Sequence, residues 1–153
     1  MTVGNAGSAP VLILDDYLPY HLCVCASRVA QEFEQLCLQK YAIGIPEWRV
    51  LMILRESGTL TAKQIAQRYR MHKTKVSRAV SLLEERKMLK GRVNPMDRRE
   101  AFLSLTVHGR EACDALARPA IDFAHRLAER IDPADRDVVA RAIKKLVEQP
   151  PAA

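Results

Sequence analysis

The sequence predicts a mainly α-helical chain carrying one small β wing, and three observations predict it. Apolar residues recur three and four apart through most of the length, the period of helices that bury one face. A single stretch, from Met88 to Leu105, changes to alternation around an Asn-Pro turn, the pattern of a hairpin. Charge is also concentrated. Between Arg55 and Glu100, thirteen Lys/Arg stand against five Asp/Glu, a net +8, whereas the whole chain sums to +6. A basic field confined to one helical unit suits a duplex nucleic acid, because each neutralised phosphate releases counterions.

At 153 residues and 48% apolar content, the chain has material for one domain, or for one small domain with dimerising extensions. The opening residues MTVGNAGSAP lack a basic start and an apolar stretch, so residues 1–10 read as a disordered lead-in and not as a signal peptide. No run approaches the ~20 apolar residues of a membrane helix. Cys23, Cys25, Cys37 and Cys113 form neither a CxxC pair nor a zinc spacing, and reduced thiols in a cytoplasmic protein are expected. His21, His72, His108 and His125 are scattered, with no acid, base and nucleophile set at motif spacing. The sequence therefore predicts no enzyme, no metal, no cofactor and no membrane partner.

Element by element, Leu12 to Gln39 reads as a long helix with Leu22, Val29, Phe33 and Leu36 on one side, bent or restarted near Pro19. Tyr41 to Ile45 connects it to a second helix, which Pro46 opens and Ser57-Gly58 closes, with Trp48, Leu51, Met52 and Leu54 available for burial. Thr61 caps a third helix from Ala62 to about Arg68, Tyr69-Arg70-Met71 turns, and a fourth helix runs from about His72 to Arg86. In the fourth, Val76, Val80 and Leu83 make the buried stripe, while Lys73, Lys75, Ser77 and Arg78 fall largely on other faces. That division is the logic of a recognition helix. Met88–Val93 and Ala101–Leu105 form the hairpin, with Arg92, Arg98 and Arg99 at or near its tip, able to lie along a backbone or enter a minor groove.

Thr106 then caps a long helix from Val107 toward Ile131, kinked at Pro119. Asp132 caps a last helix with Pro133 at its first position and Val138, Val139, Ile143, Leu146 and Val147 apolar. Residues 149–153 are a frayed tail. The terminal stripes lie far from the central unit in sequence, and the economical partner for them is the same pair of helices in a second copy. The architecture is thus a winged helix-turn-helix, about residues 46–105, within a single domain spanning 11–148. It dimerises through N- and C-terminal helices at about 11–39 and 107–148.

The order of elements, and the runs Leu60–Ala66, Lys73–Arg78, Leu82–Leu89, Asn94–Arg99 and Ser104–Gly109, resemble the MarR family of bacterial transcriptional regulators. The resemblance extends from Leu12 to about Glu148. It implies an obligate homodimer with two winged lobes, a palindromic DNA operator, and a recognition surface at Lys73, Thr74, Lys75, Ser77 and Arg78. It also implies a wing pair in which Asp97 orients Arg99 toward the minor groove. The family usually carries a glycine near Lys87.

Residue chemistry fills in the roles. The planar fork of Arg78 can pair with guanine N7 and O6; the alternative is a surface arginine held by Glu85 or by phosphate. Thr74 and Ser77 suit phosphate or base-edge bonds, and Lys73 and Lys75 suit affinity more than specificity. Lys63 can reach the backbone, and His72 is a cap or lies near the DNA. By resemblance, a small aromatic acid or its coenzyme A thioester binds between the dimer helices and the DNA lobe and releases the operator. Tyr17, His21, Arg28, Trp48 and Arg49 are the lining candidates, since such a ligand wants apolar walls and a cation. Trp48 as a core anchor, and Arg28 and Arg49 as intersubunit salt-bridge partners, are the structural alternatives. Cysteine oxidation as the signal, and architectural DNA binding without operator preference, are the functional ones.

Overall fold

A computed structural model describes residues 10–148 of the chain. The expected lead-in, apart from Pro10, and the expected tail at 149–153 lie outside the described residues. Helix α1 spans Leu18–Tyr41, starting six residues later than the sequence suggested, and Leu14–Asp16 forms a separate 3-10 turn before it. Pro19 is the reason. It has no N–H to give the Asp15 carbonyl, so it fits only the first turn, and His21 Nε2 takes that carbonyl instead at 2.7 Å.

Helix α2, Ile45–Ser57, opens on Gly44, whose N–H donates to Glu47 Oε2 at 2.9 Å, and closes on Gly58 at φ 77°. It is the central helix. Leu51 and Leu54 are buried as expected, but so are Val50 and Ile53, while Trp48 and Met52 are half-buried. Strand β1, Leu60–Thr61, was not anticipated. It pairs antiparallel with β3, placing Leu60 opposite Leu103. Thr61 then caps α3, Ala62–Arg68, in a reciprocal box: Gln64 N–H donates to Thr61 Oγ1, and Thr61 N–H to Gln64 Oε1.

Helix α4, Lys73–Glu85, buries Val76, Ala79, Val80 and Leu83. It ends in a Schellman turn, with Lys87 N–H on the Glu84 carbonyl and Met88 N–H on that of Leu83, both at 2.9 Å. The residue in the left-handed position is Lys87, φ 58°. Glycine is ordinarily preferred there because it has no Cβ to crowd the carbonyl. Strand β2, Leu89–Val93, starts one residue later than read, since Met88 belongs to this turn. Together with β3, Ala101–Leu105, it completes a sheet ordered β1-β3-β2.

Helix α5, Val107–Glu129, starts on Thr106, whose Oγ1 accepts the Gly109 N–H at 3.0 Å. A Cβ on Gly109 would collide with the Met88 carbonyl, so glycine here lets α5 pass against the end of α4. The helix is continuous through Pro119. Proline leaves the Ala115 carbonyl without its helical donor, and Lys40 Nζ supplies one at 3.3 Å. Helix α6, Arg136–Glu148, starts three residues beyond the expected Pro133. Pro133 instead belongs to a turn closed on Asp132, whose Oδ1 accepts the Ala134 N–H and whose carbonyl accepts the Asp135 N–H.

The core runs from Phe33 to Leu116 and gathers the second half of α1, α2, α3, α4, the sheet and the first half of α5. No residue of α6 is buried.

Candidate nucleic-acid interface

At 100° per residue, α4 presents two exposed ridges besides its core face. Thr74, Arg78, Ser81 and Glu85 run opposite the buried stripe and are all exposed. Lys73, Ser77 and Glu84 form a second ridge turned toward the wing, where they line a cavity of ≈ 760 Å³ closed by Lys63, Asp97 and Arg99. Four predicted DNA residues, Lys63, Lys73, Ser77 and Arg99, therefore share one concavity with the wing-support residue Asp97. Thr74 and Arg78 occupy the neighbouring ridge, Lys75 and Arg98 are exposed outside the concavity, and His72 caps α4 by accepting the Thr74 N–H on Nδ1 at 3.3 Å. No Arg78–Glu85 ion pair forms among the described residues. Lys63 Nζ lies 3.7 Å from Glu100 Oε1, so its charge is shared with the base of the wing.

The wing is held by its own backbone. Asn94 N–H donates to the Glu100 carbonyl and Glu100 N–H to that of Asp97, each at 3.0 Å. Asp97 was expected to orient the Arg99 side chain, but its Oδ1 instead accepts the Arg99 backbone N–H at 3.0 Å. The carboxylate fixes where Arg99 leaves the turn and leaves the guanidinium to other partners.

The turn before the recognition helix is braced by residues the sequence did not single out. Ser57 Oγ and Tyr69 Oη share a 2.6 Å hydrogen bond, and Arg70, at φ 49°, donates from Nη1 to the Val147 carbonyl at 2.6 Å. Arg49 Nη2 donates to the Tyr69 carbonyl at 3.2 Å and so supports the helix-turn-helix. The other ligand candidates also diverge. Tyr17 caps α1, His21 bonds the Asp15 carbonyl, and Arg28 is exposed on α1. Trp48 packs edge-on against Phe33 with ring centroids 4.6 Å apart, and Phe33 continues the stack to Phe123 at 5.2 Å.

These five residues line neither the concavity beside the wing nor a smaller space between α1 and α5. That space, of ≈ 300 Å³, is bordered by Glu32 and Arg130. Those two form a bidentate pair at 2.9 and 2.6 Å, and the arginine hydrogen bonds hold the Glu32 carboxyl below its ordinary range. The Trp48 indole N–H is buried and, among the described residues, has no acceptor. Burial pushes the thiols of Cys37 and Cys113 up to about 11, which keeps them protonated and unreactive, whereas Cys23 and Cys25 are exposed on α1. Among the described residues no His/Cys/Asp/Glu group could hold a metal, and no helix is long and apolar enough to cross a membrane.

Residues 43–100, which comprise α2, the helix-turn-helix and most of the wing, match the model of the MarR family. A MarR/EmrR family transcriptional regulator from Acinetobacter sp. ADP1 is 26% identical, with a TM-score of 0.76 over 88% of this chain and 95% of that one. Over its helix-turn-helix and wing the chain is similar to the MarR family. Two further structures, each 19% identical, share the fold. BpsR of Bordetella bronchiseptica, whose DNA binding is regulated by 6-hydroxynicotinic acid, gives a TM-score of 0.82 over 92% of this chain and all of its own. Sco3205 of Streptomyces coelicolor, solved in complex with DNA, gives 0.80 over 95% of each chain. No curated protein sequence matches significantly. Residues 43–100 thus carry the DNA-binding segment of a MarR-type transcriptional regulator.

Proposed function

We propose that two copies of this chain form a homodimer that binds a palindromic operator, represses from it, and is released by a small aromatic acid or its coenzyme A thioester. The observation that carries the reading is the contrast between a finished basic lobe and unfinished ends. The lobe from α2 to β3, closed by the second half of α1 and the first half of α5, buries one core and turns an exposed α4 ridge and an arginine-rich wing outward. Meanwhile Leu12, Leu18, Val138, Leu146 and Val147 stay more than half exposed. Covering these against a second copy sets two recognition helices at a fixed separation, as half-sites one turn apart require.

In this reading Arg78 and Thr74 reach base edges in the major groove. Lys63, His72, Lys73, Lys75 and Ser77 engage the backbone, and Arg98 and Arg99 enter or follow the minor groove with Asp97 setting the turn. The effector class is supported by the aromatic acid that regulates the Bordetella protein. It is also supported by the Trp48 N–H, which a bound carboxylate would satisfy. Tyr17, His21, Arg28 and Arg49 come near that ligand only if the dimer brings the ends together.

Fluorescence anisotropy on the DNA beside the protein's own gene, with a scrambled duplex as control, tests the reading in the presence of aromatic acids and their thioesters. Sequence-dependent binding relieved by one compound supports an inducible repressor. Equal binding to both duplexes, indifferent to every compound, would replace it with architectural binding.

A further inference from the structure

We infer that Met96 is an apolar wedge for the DNA minor groove, presented between the arginines of the wing. The inference rests on the reading of the wing as an element that enters a groove. The β2–β3 ladder ends at the Val93–Ala101 pair, and Asn94–Glu100 project beyond it. Met96 sits in this projection at 92% exposure, higher than any other large apolar side chain among the described residues. Val93, at 62%, and exposed Pro95 extend the same apolar tip.

The tip is built to hold its shape. Met96 N–H is fastened to Asn94 Oδ1 at 3.0 Å, Arg99 N–H to Asp97 Oδ1, and Asn94 N–H to the Glu100 carbonyl. A preordered loop that leaves methionine in water gains nothing for the fold of this chain. What surrounds it identifies the partner: Arg92 precedes the tip on one limb, and Arg98 and Arg99 follow on the other. Cations on both limbs fit the two phosphate rims of a minor groove about 6 Å wide. An unbranched thioether chain between them fits the sugar walls and floor, where apolar side chains can pry at a base step.

The test uses duplexes that the wild-type protein selects from a random pool, with affinities measured over a series of salt concentrations. Met96→Ala should weaken binding about fivefold to tenfold from lost apolar contact. Its salt slope should stay at the wild-type value, because no phosphate contact is lost. Met96→Leu should restore affinity to within about twofold, as a volume-conserving apolar exchange does. Arg99→Ala should weaken binding and also lower the slope by about one. Wild-type affinity for Met96→Ala beside a damaged Arg99→Ala overturns the wedge and spares the wing reading. Unchanged affinity and slope in both variants overturn the wing reading itself.

Discussion

Helices α4 and α6 are each thirteen residues long and strongly amphipathic, yet the chain uses them in opposite ways. In α4 the apolar stripe of Val76, Ala79, Val80 and Leu83 is buried against α2, α3 and the wing. In α6 the equivalent stripe of Val138, Ile143, Leu146 and Val147 is 49 to 61% exposed. An amphipathic face left in water is poor use of apolar area at ~25 cal/mol per Å². The difference separates the part of the molecule that folds on its own from the part that waits for a second copy. The lobe is one packed body, and the α6 stripe lies outside it.

The strongest way to break this contrast is to charge the α6 stripe. A double substitution, Ile143→Asp with Leu146→Asp, should give a folded monomer, because neither side chain contributes to the core. Operator affinity should fall by about a hundredfold to ten-thousandfold, since linking two half-site contacts is worth that much. Sedimentation velocity and anisotropy on one palindromic duplex would decide it. A dimer that persists through both substitutions would place the interface elsewhere.

Truncation sharpens the contrast from the other side. Leu51 has no exposed surface, and Leu51→Ala should cost about 2–5 kcal/mol in urea unfolding, whatever the protein concentration. Leu146→Ala should cost under about 0.5 kcal/mol where the protein is monomeric, with a loss that grows as concentration rises and dimers form. Equal costs at low concentration would mean that α6 is already packed within its own chain. Smaller again is Arg78→Ala, expected to cost about 1–3 kcal/mol of operator binding and to relax preference at one base pair. Lys75→Ala should weaken all sequences alike and flatten the salt dependence.

The legible parts of the chain were those whose cause is local. The Thr61/Gln64 box, the spacing of Val76, Val80 and Leu83, and the alternation of Ala101 to Leu105 each specify an element without help from distant residues. The exposed polar ridges of α4 could be found in the same way. Strand β1 could not: two residues show no alternation, and Leu60 and Thr61 are strand only because Leu103 and Phe102 lie beside them. The start of α1 was read too early because apolar periodicity runs on through Pro19, and that of α6 because Asp132-Pro133 has the form of a cap and first position but closes a turn of its own. The ligand set shows the same dependence on packing. Trp48 and Arg49 are neighbours in sequence, but a helix turns them about 100° apart. One joins Phe33 in the aromatic stack and the other reaches Tyr69. Composition can say that an aromatic and a cation are available, and only packing says whether they meet.

The smallest effect isolates how α4 ends. Lys87 holds a left-handed backbone, φ 58°, at the position where the Schellman turn hands the chain to β2. An L-residue there crowds its Cβ against the carbonyl, at roughly 1–2 kcal/mol, which glycine avoids. Part of that gain is offset by the greater freedom glycine has when unfolded. Lys87→Gly should therefore raise stability by about 0.5–1 kcal/mol, and Lys87→Ala, which removes the charge but keeps the Cβ, should not. The difference between the two variants is the backbone contribution alone. It should be independent of protein concentration, because the turn closes within one chain, unlike every effect expected in α6. If glycine and alanine stabilise equally, relief of charge crowding among Arg86, Lys87 and Lys90 accounts for the gain, and the turn carries no strain.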